Sequence, residues 1–272
     1  MLCFPNGKIN LGLSVINKRP DGFHNIETIM VPVSLCDVLE IIPSSNGSNS
    51  FHLSGVNLDG NSEDNLVMKA YQLLKRDFKL SPVSIHLHKN IPSGAGLGGG
   101  SADAAFTIIL LNELFNLQLK LSQLEDYARK IGSDCPFFIR NKAALAYEKG
   151  DQFSPISLHL ENYYLVIVKP DIHISTPQAY SRVKPYPKEI PLENIISLPI
   201  EKWKSSLIND FETEIFKPYP EIKKIKNNLY DAGAVYASLT GSGAAVFGIF
   251  ENKTHLKMRF MNCFVWEGKF SF

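Results

Sequence analysis

Five glycines fall within the seven residues Gly94–Gly100, between an alternating stretch, Val83–Leu87, and an apolar run, Ser101–Phe115. That order predicts a strand, a glycine loop and a buried helix. Glycine admits positive φ and lets backbone N–H groups approach a ligand closely. The start of a helix adds unpaired N–H donors and the positive end of its dipole. The segment Pro92, Ser93, Gly94, Ala95, Gly96, Leu97, Gly98, Gly99, Gly100, Ser101 and Ala102 therefore reads as a cradle for a polyanion such as a triphosphate. The plainer alternative is a flexible turn, but glycines raise the entropy cost of folding and make a poor simple connector.

The loop is not a Walker A motif, because no GxxxxGK[ST] is present. Gly94–Gly99 formally matches GxGxxG, a weak signal by itself. A dinucleotide site needs an acidic residue at a strand tip about twenty residues further on. That window, Glu113–Leu119, reads as the end of a helix. A kinase therefore ranks above a dehydrogenase. Ser101 is placed either to cap the helix or to set its hydroxyl on a phosphate or Mg²⁺. Asp103 suits the helix dipole and is expected to do no chemistry.

Elsewhere, Lys8–Val15 alternates as a strand, with Ile9, Leu11 and Leu13 on one face and Lys8, Asn10 and Gly12 on the other. Val38–Ile42 and Tyr163–Lys169 read as further strands, and Pro43–Ser50 as a loop. Asn65–Phe78 is helical, with Leu66, Ala70, Leu73 and Leu74 on one stripe. Leu121–Ile131 is a helix with a capping box at Ser122 and Glu125 and a stop at Gly132. The proline-rich Lys184–Pro199 reads as an irregular surface connection, and Tyr219–Ala232 as a helix before a strand pair around Thr240–Gly243. Unrepeated α and β elements predict an α+β fold. The pattern changes near Gly150, which suggests two domains, 1–150 and 151–272.

A kinase needs a cation near the transferred phosphoryl group and a carboxylate near the acceptor hydroxyl. Lys8 and Asn10 share one strand face, although a lone lysine there is by default a solvated edge. Asp134 sits between Gly132 and the apolar Cys135-Pro136-Phe137-Phe138, either as a loop cap or as a base. His86 and His88 share a strand face, but two histidines without a third ligand do not make a metal site. Thr240-Gly-Ser-Gly243 is a second glycine turn, either a plain hairpin or part of the site.

The bulk numbers narrow the partners. With 28 Lys and Arg against 27 Asp and Glu, the net charge is +1, so phosphate binding must be local and no nucleic acid or anionic membrane is expected as partner. The four cysteines are dispersed, which argues against a zinc site or a disulfide framework. The first residues lack a signal-peptide pattern and no apolar run reaches spanning length, so a cytoplasmic protein is expected.

Three separated segments resemble the GHMP kinases: the lysine strand, the glycine loop and the Thr-Gly-Ser-Gly turn. The segment Lys18-Arg-Pro-Asp-Gly-Phe-His24 is similar to the branch whose acceptor is the cytidine diphosphate sugar alcohol 4-diphosphocytidyl-2-C-methyl-D-erythritol. Thr28, Asp37, Glu63-Asp-Asn-Leu66 and Gly132-Ser-Asp-Cys-Pro136 follow in order, and the likeness runs over nearly the whole chain. The resemblance implies a ribosomal-protein-S5-like N-terminal domain and a ferredoxin-like C-terminal domain. It implies ATP and Mg²⁺ as cofactors, Asp134 as base, Lys8 as its electrostatic partner and Asn10 as orienter of the acceptor. Asn65 and Leu66 would lie near the adenine. Phe23 would stack on cytosine, His24 would read its polar edge, and Tyr180, following Thr176, would close the other face. Homoserine or mevalonate kinases, and a nucleotide-binding protein without activity, are the rival readings. They lack, respectively, the Asp21–His24 segment and a reason to keep Lys8, Asp134 and the loop together.

Overall fold

The computed structural model describes residues 1–56 and 64–270. Glu63, one of the family-like positions, lies outside the described residues. In chain order the strands begin with β1 (Leu2–Cys3), β2 (Asn6–Lys18), β3 (His24–Cys36), β4 (Val38–Pro43), β5 (Ser50–Gly55) and β6 (Val83–Lys89). They continue with β7 (Ala144–Tyr147), β8 (Gln152–Pro155), β9 (Tyr164–Pro170), β10 (Tyr236–Leu239), β11 (Val246–Phe250) and β12 (Cys263–Lys269). The helices begin with α1 (Leu66–Phe78), α2 (Gly99–Leu114), α3 (Leu121–Arg129) and α4 (Cys135–Arg140). After them come α5 (Thr176–Tyr180), α6 (Leu192–Ile196), α7 (Trp203–Ser206), α8 (Phe211–Phe216) and α9 (Pro220–Asp231). The chain forms two compact units, and each gathers separate stretches of sequence.

The first unit comprises Met1–Gly7, Leu35–Ser93 and Gly98–Lys142. Its sheet runs β1-β4-β6-β5, with β4 antiparallel and β5 parallel to β6. Strand β6 buries alternate residues Val83, Ile85 and Leu87, and the same inward phase carries Lys89. Helix α1 is capped by Asn65, whose side chain accepts from the Val67 N–H at 2.9 Å. Its buried stripe is Val67, Ala70, Tyr71 and Leu74, so the predicted stripe is rotated and Leu66 and Leu73 are only half-buried. Tyr71 occupies the centre because its hydroxyl finds Asn49 Oδ1 at 2.6 Å, which removes the penalty for burying it.

Helix α2 starts at Gly99 with Gly98 as its cap, two residues before the expected start. Ser101 is thus inside the first turn and is not the cap. Helix α3 also corrects its expected cap. The Lys120 N–H donates to Gln123 Oε1 at 2.9 Å, while Glu125 is engaged by Arg140. Gly132 is not left-handed; the helix ends earlier by tightening, with Lys130 N donating to Tyr127 O at 3.2 Å and Ile131 N to Ala128 O at 3.0 Å.

The second unit comprises Lys8–Ser34, Gly94–Leu97 and Ala143–Phe272. It holds a sheet ordered β2-β3-β7-β8 and a second, antiparallel sheet ordered β10-β11-β9-β12. Leu13 and Val15 of β2 join Val166, Val168, Phe211, Leu229 and Val246 in one core. Strand β2 is buried on both faces from Lys8 to Val15, so its polar face is not the solvated one that simple alternation predicts. Lys184–Pro199 is not wholly irregular surface either. It contains α6, which buries Leu192, Ile195 and Ile196. The segment is tied down where Tyr186 N donates to Val15 O at 3.0 Å and Leu192 N to Glu27 Oε1 at 2.8 Å.

The α+β reading holds for both units. Among the described residues no helix is long and apolar enough to cross a membrane. None of the four cysteines forms a disulfide, and no cluster of His, Cys, Asp or Glu able to hold a metal ion occurs among the described residues.

Candidate active site

The tip of the glycine loop, Gly94–Leu97, belongs to the second unit. Gly94, Gly96 and Gly98 have φ of +63°, +79° and +70°, a region where an L side chain is strained. At Gly96 the demand is also steric, since a Cβ there would lie 2.0 Å from Thr240 O. The Thr240–Gly243 turn joins β10 to β11 and also carries the loop tip. Ala244 N donates to Gly94 O at 3.0 Å and Ala245 N to Ala95 O at 3.1 Å. The hairpin reading of this turn holds, and the hairpin also anchors the loop tip. His173 packs over the tip, its Nδ1 2.6 Å from where a Gly94 Cβ would stand.

Lys8 follows directly in space, because its N–H donates to Leu97 O at 2.8 Å. Its side chain is 3% exposed and its Nζ donates to Asn10 Oδ1 at 2.6 Å. A chain of hydrogen bonds fixes which way the Asn10 amide points. The Gly12 carbonyl only accepts, so the Thr28 hydroxyl donates to it, at 2.6 Å. Thr28 Oγ1 then accepts from Asn10 Nδ2 at 3.0 Å, which leaves Asn10 Oδ1 facing the ammonium. Asn10 N also donates to Thr240 Oγ1 at 3.1 Å.

In the first unit, Asp134 occupies the position before α4, is half-buried and makes no capping bond to that helix. The next residue, Cys135, is fully buried, and burial pushes its thiol up to about 12; a bond from Ser101 opposes the shift and the Asp134 charge reinforces it. Helix α4 ends in a reciprocal pair, with Asn141 Nδ2 donating to Asn6 Oδ1 at 2.6 Å and Asn6 Nδ2 to Asn141 Oδ1 at 3.1 Å. Leu66 reaches the loop's outgoing stem, its Cδ1 3.7 Å from where a Gly100 Cβ would stand.

Back in the second unit, Phe23 is exposed, and Lys149 Nζ lies 5.4 Å from its ring centre. His24 stacks on Tyr180, with centroids 5.1 Å apart and planes 27° apart. Burial, followed by the nearby Lys18 charge, lowers the His24 pKa and favours the neutral ring. The turn between Phe23 and β2 is braced by Arg19, which bonds Asn25 at 2.7 Å, Asp21 at 3.1 Å and also Glu148. Thr176 opens α5, and its hydroxyl lies 3.4 Å from that of Ser242.

The GHMP kinases N terminal domain profile matches residues 65–142, and the GHMP kinases C terminal profile matches 200–257. A 4-diphosphocytidyl-2-C-methyl-D-erythritol kinase from Parabacteroides distasonis is 51% identical over 273 residues, covering 100% of both chains. The chain belongs to the 4-diphosphocytidyl-2-C-methyl-D-erythritol kinase family. A relative of the same name from Bacteroides fragilis is 50% identical, covering 98% of each chain. A crystal structure of a 4-(cytidine 5'-diphospho)-2C-methyl-D-erythritol kinase superposes with a TM-score of 0.83 at 31% identity, covering 98% of each chain. The protein is accordingly a phosphotransferase with the two-domain α+β GHMP kinase fold and the ATP use of that family.

Two features of this kinase escape the sequence reading. Thr28 stands out in sequence only by family likeness; its part in aiming Asn10 comes from a neighbouring strand. Asp103 is not a surface charge serving the helix dipole. It is 2% exposed and its Oδ2 accepts from Lys89 Nζ at 2.6 Å, while Asp37 takes the same ammonium from another side. Burial pushes the Asp103 carboxyl up to about 7; the Lys89 ammonium pulls it down and Asp37 pushes it further up. The usable signal was the alternation of β6, which puts Lys89 in phase with Val83, Ile85 and Leu87.

Proposed function

We propose that the chain transfers the γ-phosphoryl group of ATP to the 2-hydroxyl of 4-diphosphocytidyl-2-C-methyl-D-erythritol, with Lys8 and Asp134 as the catalytic pair. The observation that supports this most is the buried Lys8 ammonium, aimed by Asn10 and hydrogen-bonded through its own backbone to the loop tip at Leu97. The acceptor oxygen forms the new P–O bond, the bond to the leaving ADP breaks, and the hydroxyl proton passes to Asp134. Lys8 offsets the charge that develops on the transferred group. Asn10 orients the acceptor. Pro92–Ala102 holds the phosphates, with Asn65 and Leu66 toward the base.

Mg²⁺ neutralises phosphate charge when bound. Ser101, in the first turn of α2, would hold the ion through its hydroxyl. Phe23 and Tyr180 supply aromatic faces for cytosine, and neutral His24 and Thr176 supply its polar contacts. A division near Gly150, with an ATP-binding and catalytic domain before it and a domain after it that adds substrate contacts such as Thr176 and Tyr180, and a cytoplasmic location complete the proposal.

The test is ATP consumption with the cytidyl diphosphate sugar alcohol, compared with the same alcohol lacking its cytidine. Turnover confined to the first supports the reading. Equal turnover with both, or with homoserine or mevalonate in their place, removes the assigned acceptor.

A further inference from the structure

We propose that Lys89 is a positioning residue for the nucleotide loop: by bridging Asp37 and Asp103 it fixes the two stems from which the loop is strung. This inference rests on the ATP reading above. The incoming stem, Pro92–Ser93, follows Lys89 by three residues at the end of β6. The outgoing stem, Gly98–Ala102, opens α2, and Asp103 is the next residue. One ammonium thus ties the strand before the loop to the helix after it, through Asp103 Oδ2 at 2.6 Å.

Asp37 completes the anchor. One of its oxygens takes the Lys89 ammonium. The other accepts from the N–H groups of Asn90 at 2.6 Å and Ile91 at 2.8 Å, the two residues that lead into Pro92. The Asn90 side chain in turn donates to Cys36 O at 2.9 Å. The path of the incoming stem is therefore specified by four hydrogen bonds to Asp37 and its neighbour. On the other side, Gly99 lets the first turn of α2 descend onto this anchor. A Cβ there would stand 2.8 Å from Ile91 Cγ2 and 3.3 Å from Lys89 Nζ.

A purely stabilising role explains these residues poorly. All three side chains are at most 3% exposed, and burying ions usually gives no more stability than packing apolar groups of the same size. Asp103 Oδ1 is buried with no hydrogen-bond partner, a cost that an apolar residue would avoid. What the bridge provides is direction, because hydrogen-bonded ions hold three backbone points at set distances. A phosphate cradle made of backbone N–H groups needs such fixed points, since its glycines have little conformational preference of their own.

The decisive variant is Asp103→Ala in the full-length chain. It cuts the leg to the helix, leaves the Lys89–Asp37 pair charge-balanced, and places a good helix former in α2. ATP affinity is measured by direct titration, and KM for ATP and for the acceptor by steady-state kinetics. We expect the Kd and KM for ATP to rise about fivefold to tenfold, with the acceptor KM within about twofold of the parent value. Equal rises in both KM values, or a lowered melting temperature with ATP affinity unchanged, would overturn the proposal. Should this variant fail to fold, Asp37→Asn/Lys89→Met/Asp103→Asn removes the bridge and leaves no ionisable group at the anchor, and the same split is expected. ATP titration needs no acceptor. A parent chain that binds ATP but does not phosphorylate the acceptor thus defeats the functional reading and leaves the loop measurement decisive for this one.

Discussion

The protein buries two lysines, each in its own unit, and treats them differently. Lys89 donates to two carboxylates that lock it in place. Lys8 donates to the neutral Asn10 amide, which a threonine hydroxyl aims. Two carboxylates hold an ammonium strongly, and an aimed amide oxygen orients one without adding a charge of its own. Under the proposed mechanism the first lysine positions the loop and the second acts in the chemistry. Residue type and burial are nearly the same in both cases, so burial by itself does not tell the two roles apart.

The sharpest way to break this contrast is to neutralise the two groups proposed for the reaction. Asp134→Asn is expected to retain acceptor binding and to lose about 10³-fold in kcat. Lys8→Met should lose a comparable factor, and parental turnover in either variant would remove it from catalysis. Lys89→Met by itself strands two buried carboxylates and should cost about 3–5 kcal/mol of stability in a urea titration. If Lys8→Met cost as much stability, the two lysines would not be distinct. Thr28→Val removes the hydroxyl that aims Asn10 and should lower kcat about tenfold, the equivalent of one good hydrogen bond, while Thr28→Ser restores it.

The smallest effect is in pH dependence. Folding raises the Asp103 carboxyl from 3.8 to about 7, so over that window the folded chain holds a proton that the unfolded chain releases. Stability from this group is complete below the lower value and is lost as pH rises toward the upper one. Asp103→Asn should flatten that fall in urea titrations repeated across the window. A slope unchanged by the substitution would mean that the carboxyl titrates normally.

Local pattern by itself determined a good deal here. The strand, glycine loop and apolar helix around Gly94–Gly100 were legible because glycine density and apolar periodicity are short-range properties of the chain. The α+β class and the helices Asn65–Phe78 and Tyr219–Ala232 were legible for the same reason. Tertiary structure alone decided which polar residues are buried and what each one touches. Asp103 looked like a dipole charge until Lys89 and Asp37 met it, from 14 and 66 positions away in sequence. Lys8 looked like a solvated edge until β2 proved buried on both faces. The burial of a charge depends on partners brought from distant parts of the chain, and the exact turn at which α2 or α3 begins depends on contacts that a local pattern does not contain.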